Sequence, residues 1–161
     1  FVQEGRDVYQ RVCSLCHGKD GKGDGPSSKS LTDTWGHSVT PADFTLPAGE
    51  PGGVKLGHDG KHIYKTIATG VGGTPMPAFA NSFDGDEIWS LVHFVQSLRI
   101  DSQIRSLRKA GLSRQEIPEA RRALWESLSS AAAQGQVSSA LLHSGTADAS
   151  TASRGVSGGS S

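Results

Sequence analysis

The chain has two cysteines, Cys13 and Cys16, and both lie in the stretch Arg11 to Gly25, RVCSLCHGKDGKGDG. His17 follows them directly, and four glycines come after it within eight residues. Two thiols three apart beside an imidazole restrict the chain to a few chemistries. A structural zinc site needs four Cys/His ligands, usually from two paired motifs. No second CxxC is present, so zinc would have to draw on scattered histidines. A redox dithiol of the thioredoxin kind wants a preceding strand and a βαβ setting, whereas the residues before Cys13 are spaced as a helix. A disulfide across CxxC would close a small, strained loop that stabilises little. Attachment of a c-type haem accounts for all three residues together. Each thiol adds to one vinyl group, and His17 falls beneath the iron as proximal ligand.

A haem iron with closed coordination needs a sixth ligand, and Met/His ligation raises its potential. The chain has a single methionine, Met76, set between prolines in Gly73–Phe79, GTPMPAF. Those rings fix the backbone and can present a thioether without a helix or strand. A core-filling role for methionine fits poorly with such a loop. Met76 is therefore the candidate sixth ligand. His37, His58, His62, His93 and His143 are its rivals, His58 and His62 first among them because they flank the start of a helix.

Periodicity supplies the frame. Gly5, Val8, Tyr9 and Val12 repeat at helical spacing ahead of Cys13. From His17 to about Gly57 the chain is rich in Gly, Pro, Ser and Asp and reads as loops and short turns. A second helix is expected from about Asp59 to Thr69, with Asp59 as N-cap and Gly70 just past its end. A third is expected from about Asp84 to Arg99, with acids early and an arginine late, as the helix dipole favours. Ile88, Leu91, Val92 and Val95 line one of its faces. Residues 101–134 look helical as well, with either a capping box at Ser113 and Glu116 or, better, a helix starting near Pro118. From Gly135 on, the composition is that of a linker or disordered segment.

At this point the chain resembles the class I monohaem c-type cytochromes. The resemblance spans about residues 3–99 and rests on GxxVYxxxCxxCH, GKGDGP, PADFT at residues 41–45, GTPMPAF and the closing DEIWSLVHFVQSL. In wording the motifs come closest to haem domains serving larger respiratory or photosynthetic complexes. The resemblance implies an all-α fold: three main helices around one covalently attached haem c, with a C-terminal helical extension here. It implies that the first and last helices cross at Gly5 beside Tyr9, against Leu91 and Phe94. It also implies that a backbone carbonyl holds the proximal histidine, with Pro26 as the expected counterpart. Cofactor-binding residues on this reading are Cys13, Cys16, His17 and Met76, the last two being the iron ligands. Leu31, Phe44, Ile63, Ile67, Phe79, Leu91 and Val95 are the candidate pocket wall.

A haem core suits the composition. Hydrophobic residues make up 35% and aromatics 6%, low for a chain that builds its interior from side chains alone. Lys and Arg balance Asp and Glu at 16 each, so no long-range field points to nucleic acid. No apolar run approaches the roughly 20 residues of a membrane span. Beginning at Phe1 rather than Met, the chain is expected to have lost a leader or anchor. Other motifs fail. GKDGKGDG is not a phosphate loop, and Lys22 and Leu31 stand where a calcium loop needs ligands.

The expected organisation is a cytochrome c haem domain over residues 1–100, a helical extension over 101–134 and a low-complexity Ser/Gly/Ala tail over 135–161. The expected function is one-electron transfer, not catalysis, as a subunit or docking cytochrome of a larger redox complex. The competing reading is a haem enzyme or gas-binding sensor with a labile methionine. Expected partners are redox proteins, a membrane-associated oxidoreductase or reaction-centre complex contacted partly through residues 101–161. The alternative for that segment is a solvated appendage whose Arg105, Arg108, Lys109, Arg121 and Arg122 form a wet helix face. Haem c attached through CxxCH implies a periplasmic or equivalent space, with the protein soluble or peripheral to the membrane.

Overall fold

The computed structural model describes residues 1–47, 49–54 and 59–129. Five α-helices occur among them: α1 (Val2–Val12), α2 (Ser14–His17), α3 (Gly60–Thr69), α4 (Gly85–Lys109) and α5, residues 117–129. A 3₁₀ turn at Ser28–Ser30 and one isolated bridge between Thr32 and Ser38 complete the regular structure of the described residues. The all-α class is as expected.

Local chemistry explains where the helices begin. Asp59 caps α3, its carboxylate accepting from the backbone N–H groups of Lys61 and His62, and Gly70 ends that helix at φ 68°. Asp84 and Glu87 form a full capping box at the start of α4. In α5 Pro118 occupies the first turn, where its missing N–H costs nothing. Ser113 and Glu116 lie just ahead of it, and the Glu116 carboxylate takes the Ser113 N–H (2.9 Å) and hydroxyl (2.6 Å).

α4 does not stop at Arg99. It continues to Lys109 because nothing at residues 99–103 breaks it, and Ile100 and Ile104 extend the apolar stripe into buried positions. Gly111, at φ 114°, then turns the chain. α5 packs back on α4: the Trp125 ring meets His93 edge-on at 6.1 Å, and Arg121 pairs with Asp101 at 2.5 Å. Arg105, Arg108, Lys109 and Arg122 are exposed, as a wet face would be. The expected tail at 135–161, with His143, lies outside the described residues, as does His58.

The core is built where α1 crosses α4. A Cβ on Gly5 would lie 1.9 Å from the Ser90 carbonyl oxygen, so the two backbones touch at a point only glycine permits. Next to the crossing, the Tyr9 and Phe94 rings stand 4.9 Å apart, and Val8, Ile88, Leu91, Val92 and Val95 fill the space around them. α3 adds Ile63 and Ile67. Of the expected pocket wall, Ile63, Ile67, Leu91 and Val95 are buried, and Phe44 and Phe79 are partly buried against that cluster. Leu31 is half-buried and stands apart from it.

Candidate haem site

The motif turn hangs from the end of α1. The Cys13 carbonyl accepts from the N–H groups of Cys16 (3.2 Å) and His17 (2.9 Å), which winds Cys13, Cys16 and His17 into one turn. Tyr9 holds this turn from below, its buried hydroxyl donating to the Gly18 carbonyl at 2.8 Å. Burial, with the Cys13 charge second, pushes the Tyr9 phenol far above its ordinary value, so it stays a donor. Both cysteines are free and half-buried. Burial, reinforced by the neighbouring Cys16, raises the Cys13 thiol to about 11.

His17 is oriented by two contacts that come from one segment, residues 41–45. Its Nδ1–H donates to the Ala42 carbonyl at 3.2 Å. A carbonyl can only accept, so the ring takes the tautomer that leaves Nε2 with a free lone pair. Phe44 stacks on the imidazole, centroids 4.6 Å apart at 23°. Burial lowers the His17 pKa, and the Ala42 bond offsets this in part. The ring is therefore neutral at neutral pH, the state a metal ligand requires.

The expected carbonyl of Pro26 does not serve His17. Gly25 and Ser27 donate to the carbonyls of Cys16 and Leu15, which fixes Pro26 along the backbone of the motif turn. The imidazole is reached instead by the Ala42 segment, because the glycines between let it approach. Phe44 N–H bonds to the Gly21 carbonyl at 2.7 Å, and a Cβ on Gly23 would sit 2.4 Å from the Pro41 carbonyl oxygen. PADFT carried the resemblance, but its role as the clamp on His17 was missed. The X-Pro-Ala-Asp segment downstream of a glycine-rich loop was the available signal.

Met76 sits on the loop between α3 and α4, half-buried and pinned at several points. Its N–H donates to the Thr74 hydroxyl (3.2 Å) and its carbonyl accepts from the Val71 N–H (3.1 Å). Phe79 and Ala80 then tie the loop to the carbonyls of Ile67 and Ala68 at the end of α3. The chain returns so closely over Gly70 that a Cβ there would lie 2.7 Å from the Met76 carbonyl oxygen. Gly73 accepts from the Thr34 N–H at 3.0 Å, which brings the 75% exposed Trp35 ring alongside the same loop. Trp35 was not singled out in the sequence, since a lone tryptophan in a polar stretch gives no period to read.

The rival histidines in the described residues are engaged elsewhere. His62 turns its Nδ1 to the Asp59 carboxylate, and His37 faces Asp33 at 3.2 Å. His93 lies among Phe1, Trp89 and Trp125. No cluster of three or more His, Cys, Asp or Glu side chains suited to a metal ion occurs among the described residues. The donor set fits a covalently held haem: two free thiols and a neutral, pre-oriented imidazole on one turn, and a thioether on a braced loop.

The family described as cytochrome c oxidase, cbb3-type, subunit III, matches residues 1–95. The chain belongs to this family. As a cytochrome c domain of a respiratory-complex type it carries covalent haem c and transfers electrons. Among solved structures it is similar to a chain of the reducing HAO-like protein complex Kustc0457/Kustc0458 of Kuenenia stuttgartiensis. The identity is 39%, the TM-score 0.54, and the match covers 60% of this chain and 43% of that one. This cytochrome domain thus spans less than half the length of that structural relative. No curated protein matches the sequence. Among the described residues no helix is long and apolar enough to cross a membrane.

Proposed function

We propose that this cytochrome is a single-electron carrier with His17 and Met76 as axial ligands, Cys13 and Cys16 as thioether anchors, and a place as haem subunit or docking cytochrome in a larger redox complex. The observation that carries the reading is the fixed, neutral imidazole of His17, clamped by Ala42 and Phe44 beside two free thiols. When bound, haem c supplies a one-electron iron couple within a large apolar disc. The chain's own residues do the rest. Cys13 and Cys16 hold the cofactor in both redox states. The Ala42 bond keeps the His17 lone pair aimed and raises its basicity. Pro75, Pro77 and the Thr74 and Val71 bonds brace the backbone that presents the Met76 thioether. If His17 and Met76 both held the iron, no coordination site would be left for a substrate, which supports an electron carrier over a catalyst.

The relative's membership of a multi-chain complex supports a subunit role. Redox proteins are then the partners, met through a small transient surface and in part through the segment after Arg99. Haem attachment through CxxCH supports a periplasmic or equivalent location. The test is the absorption spectrum of the matured protein, ferric, reduced, and reduced under carbon monoxide. Sharp c-type bands, a weak far-red ferric band from sulfur ligation and no response to carbon monoxide are expected. Loss of the far-red band in the wild type would move the sixth ligand to a histidine. Rapid carbon monoxide binding would replace the carrier reading with an open, reactive iron.

A further inference from the structure

The far end of α4 carries a run of positive charge. Residues 102–115 hold Arg105, Arg108, Lys109 and Arg114 and no acid. All four side chains are exposed, and none pairs with a carboxylate among the described residues. The acids on either side are engaged: Asp101 pairs with Arg121, and the Glu116 carboxylate takes the Ser113 N–H and hydroxyl. The opposite end of the same 25-residue helix bears Asp84, Asp86 and Glu87. About 37 Å of helix therefore separates an acidic end from a basic one. Cations in a last turn offset the helix dipole, which accounts for Arg108 and Lys109 but not for Arg105 or Arg114.

Beside these cations the apolar stripe of α4 runs off the end of the core. Ile100 and Ile104 are buried, whereas Leu107, next along the stripe, is 41% exposed. Gly111, at φ 114°, turns the chain there. The Leu112 N–H returns to the Leu107 carbonyl at 2.9 Å, which sets both leucines on the turn that carries the cations. Protein interfaces concentrate their binding in aromatic anchors seated in pockets, and residues 102–115 contain no aromatic. An anionic bilayer asks for something else. It takes a cluster of about four to eight Lys and Arg and an apolar group that reaches below the headgroups, with no shape to match.

We propose that this tip, the end of α4 with the turn that follows it, rests on an anionic phospholipid surface. Arg105, Arg108, Lys109 and Arg114 meet the headgroup phosphates, and Leu107 enters the boundary between headgroups and acyl chains. The extension thereby holds the cytochrome reversibly at a membrane. The proposal takes further the location proposed above and does not depend on which groups hold the iron. It assigns to lipid a part of the segment after Arg99 that was left there to protein partners. Each cation near such a surface strengthens binding about five-fold. Salt screens the attraction, over about 10 Å at 0.1 M.

The experiment mixes the matured full chain with vesicles of phosphatidylcholine alone, or of phosphatidylcholine and phosphatidylglycerol in equal parts, and reads the bound fraction by flotation. Wild type is expected on the mixed vesicles and not on the neutral ones, with binding that weakens as salt rises from about 0.01 M to about 0.15 M. Combining Arg105→Gln, Arg108→Gln, Lys109→Gln and Arg114→Gln is expected to weaken it several-hundred-fold, and each change alone about five-fold. Arg105→Lys, Arg108→Lys and Arg114→Lys together keep the charge and should keep the binding. Arg6→Gln, Arg11→Gln, Lys61→Gln and Lys65→Gln together remove as much charge from exposed positions on α1 and α3, and should leave binding largely intact. Wild type that stays off the mixed vesicles at low salt overturns the proposal and leaves an acidic protein face as the occupant. An equal loss in the α1 and α3 variant overturns it too, since net charge alone would then explain the binding. Helical content and haem bands, recorded for each variant, separate lost binding from lost fold. The far-red band of the wild type reads the Met76 assignment on its own, so either reading can fail while the other stands.

Discussion

At the scale of single residues, His17 and Met76 are held by different means. His17 is set by one hydrogen bond and one stacked ring from a distant loop. Met76 is set by the backbone on either side of it, which Thr74, Val71 and the end of α3 brace. Removing the thioether therefore leaves the loop intact. Met76→Ala is expected to keep covalent haem and helical content while losing the far-red ferric band and gaining rapid carbon monoxide binding. On the proposed ligation its potential should drop, because a thioether ligand raises it. Absorption spectra with and without carbon monoxide read the first effect and a potentiometric titration the second. An unchanged spectrum would mean that sulfur is not the sixth ligand.

At the scale of elements, the crossing of α1 and α4 fixes where the motif turn hangs. Gly5 against Ser90 sets the distance between the helices, and Tyr9 against Phe94 fixes their rotation while its hydroxyl fastens the turn through Gly18. Gly5→Ala would gain about 1 kcal/mol of helix propensity. It would also drive a methyl into the Ser90 carbonyl, and overpacking of this kind costs about 1–3 kcal/mol. A lower melting temperature is expected, and an unchanged or higher one would mean the helices do not cross at this glycine. These elements were legible in the sequence because each leaves a local mark: period 3.6 in Ile88, Leu91, Val92 and Val95, caps at Asp59 and Asp84, glycine at 5 and 70. The clamp on His17 was misassigned to Pro26, since a contact spanning 25 residues is decided by how the glycine loop folds. Residues 101–109 were expected to be helical, but not as a continuation of the helix that ends at Arg99 in the sequence reading. Asp101, Ser102 and Gln103 look like a boundary, while Ile100 and Ile104 keep the buried stripe going.

On the scale of the whole molecule, the segment beyond Arg99 is folded back onto the haem domain through α5. The join is an aromatic cluster in which His93 sits among Phe1, Trp89 and Trp125. Burial lowers the His93 pKa from 6.5. The unfolded chain therefore takes up this proton first as the solution is acidified. His93 contributes its stability fully above the unfolded value, and that contribution is lost as pH falls through about 6.5 toward the folded value. Protonation puts a positive charge among rings that hold the extension down. Acidification from pH 7.5 to about pH 5.5 is thus expected to lower the melting temperature and to shift tryptophan emission as Trp125 becomes wetter. The lowered carboxyl groups of Asp59 and Glu116 act only at lower pH, so they do not mask this window. His93→Phe keeps the ring contacts and removes the proton. If its melting temperature falls with acid as steeply as that of the wild type, the seat of α5 does not depend on a neutral His93, and the contact with Trp125 is packing alone.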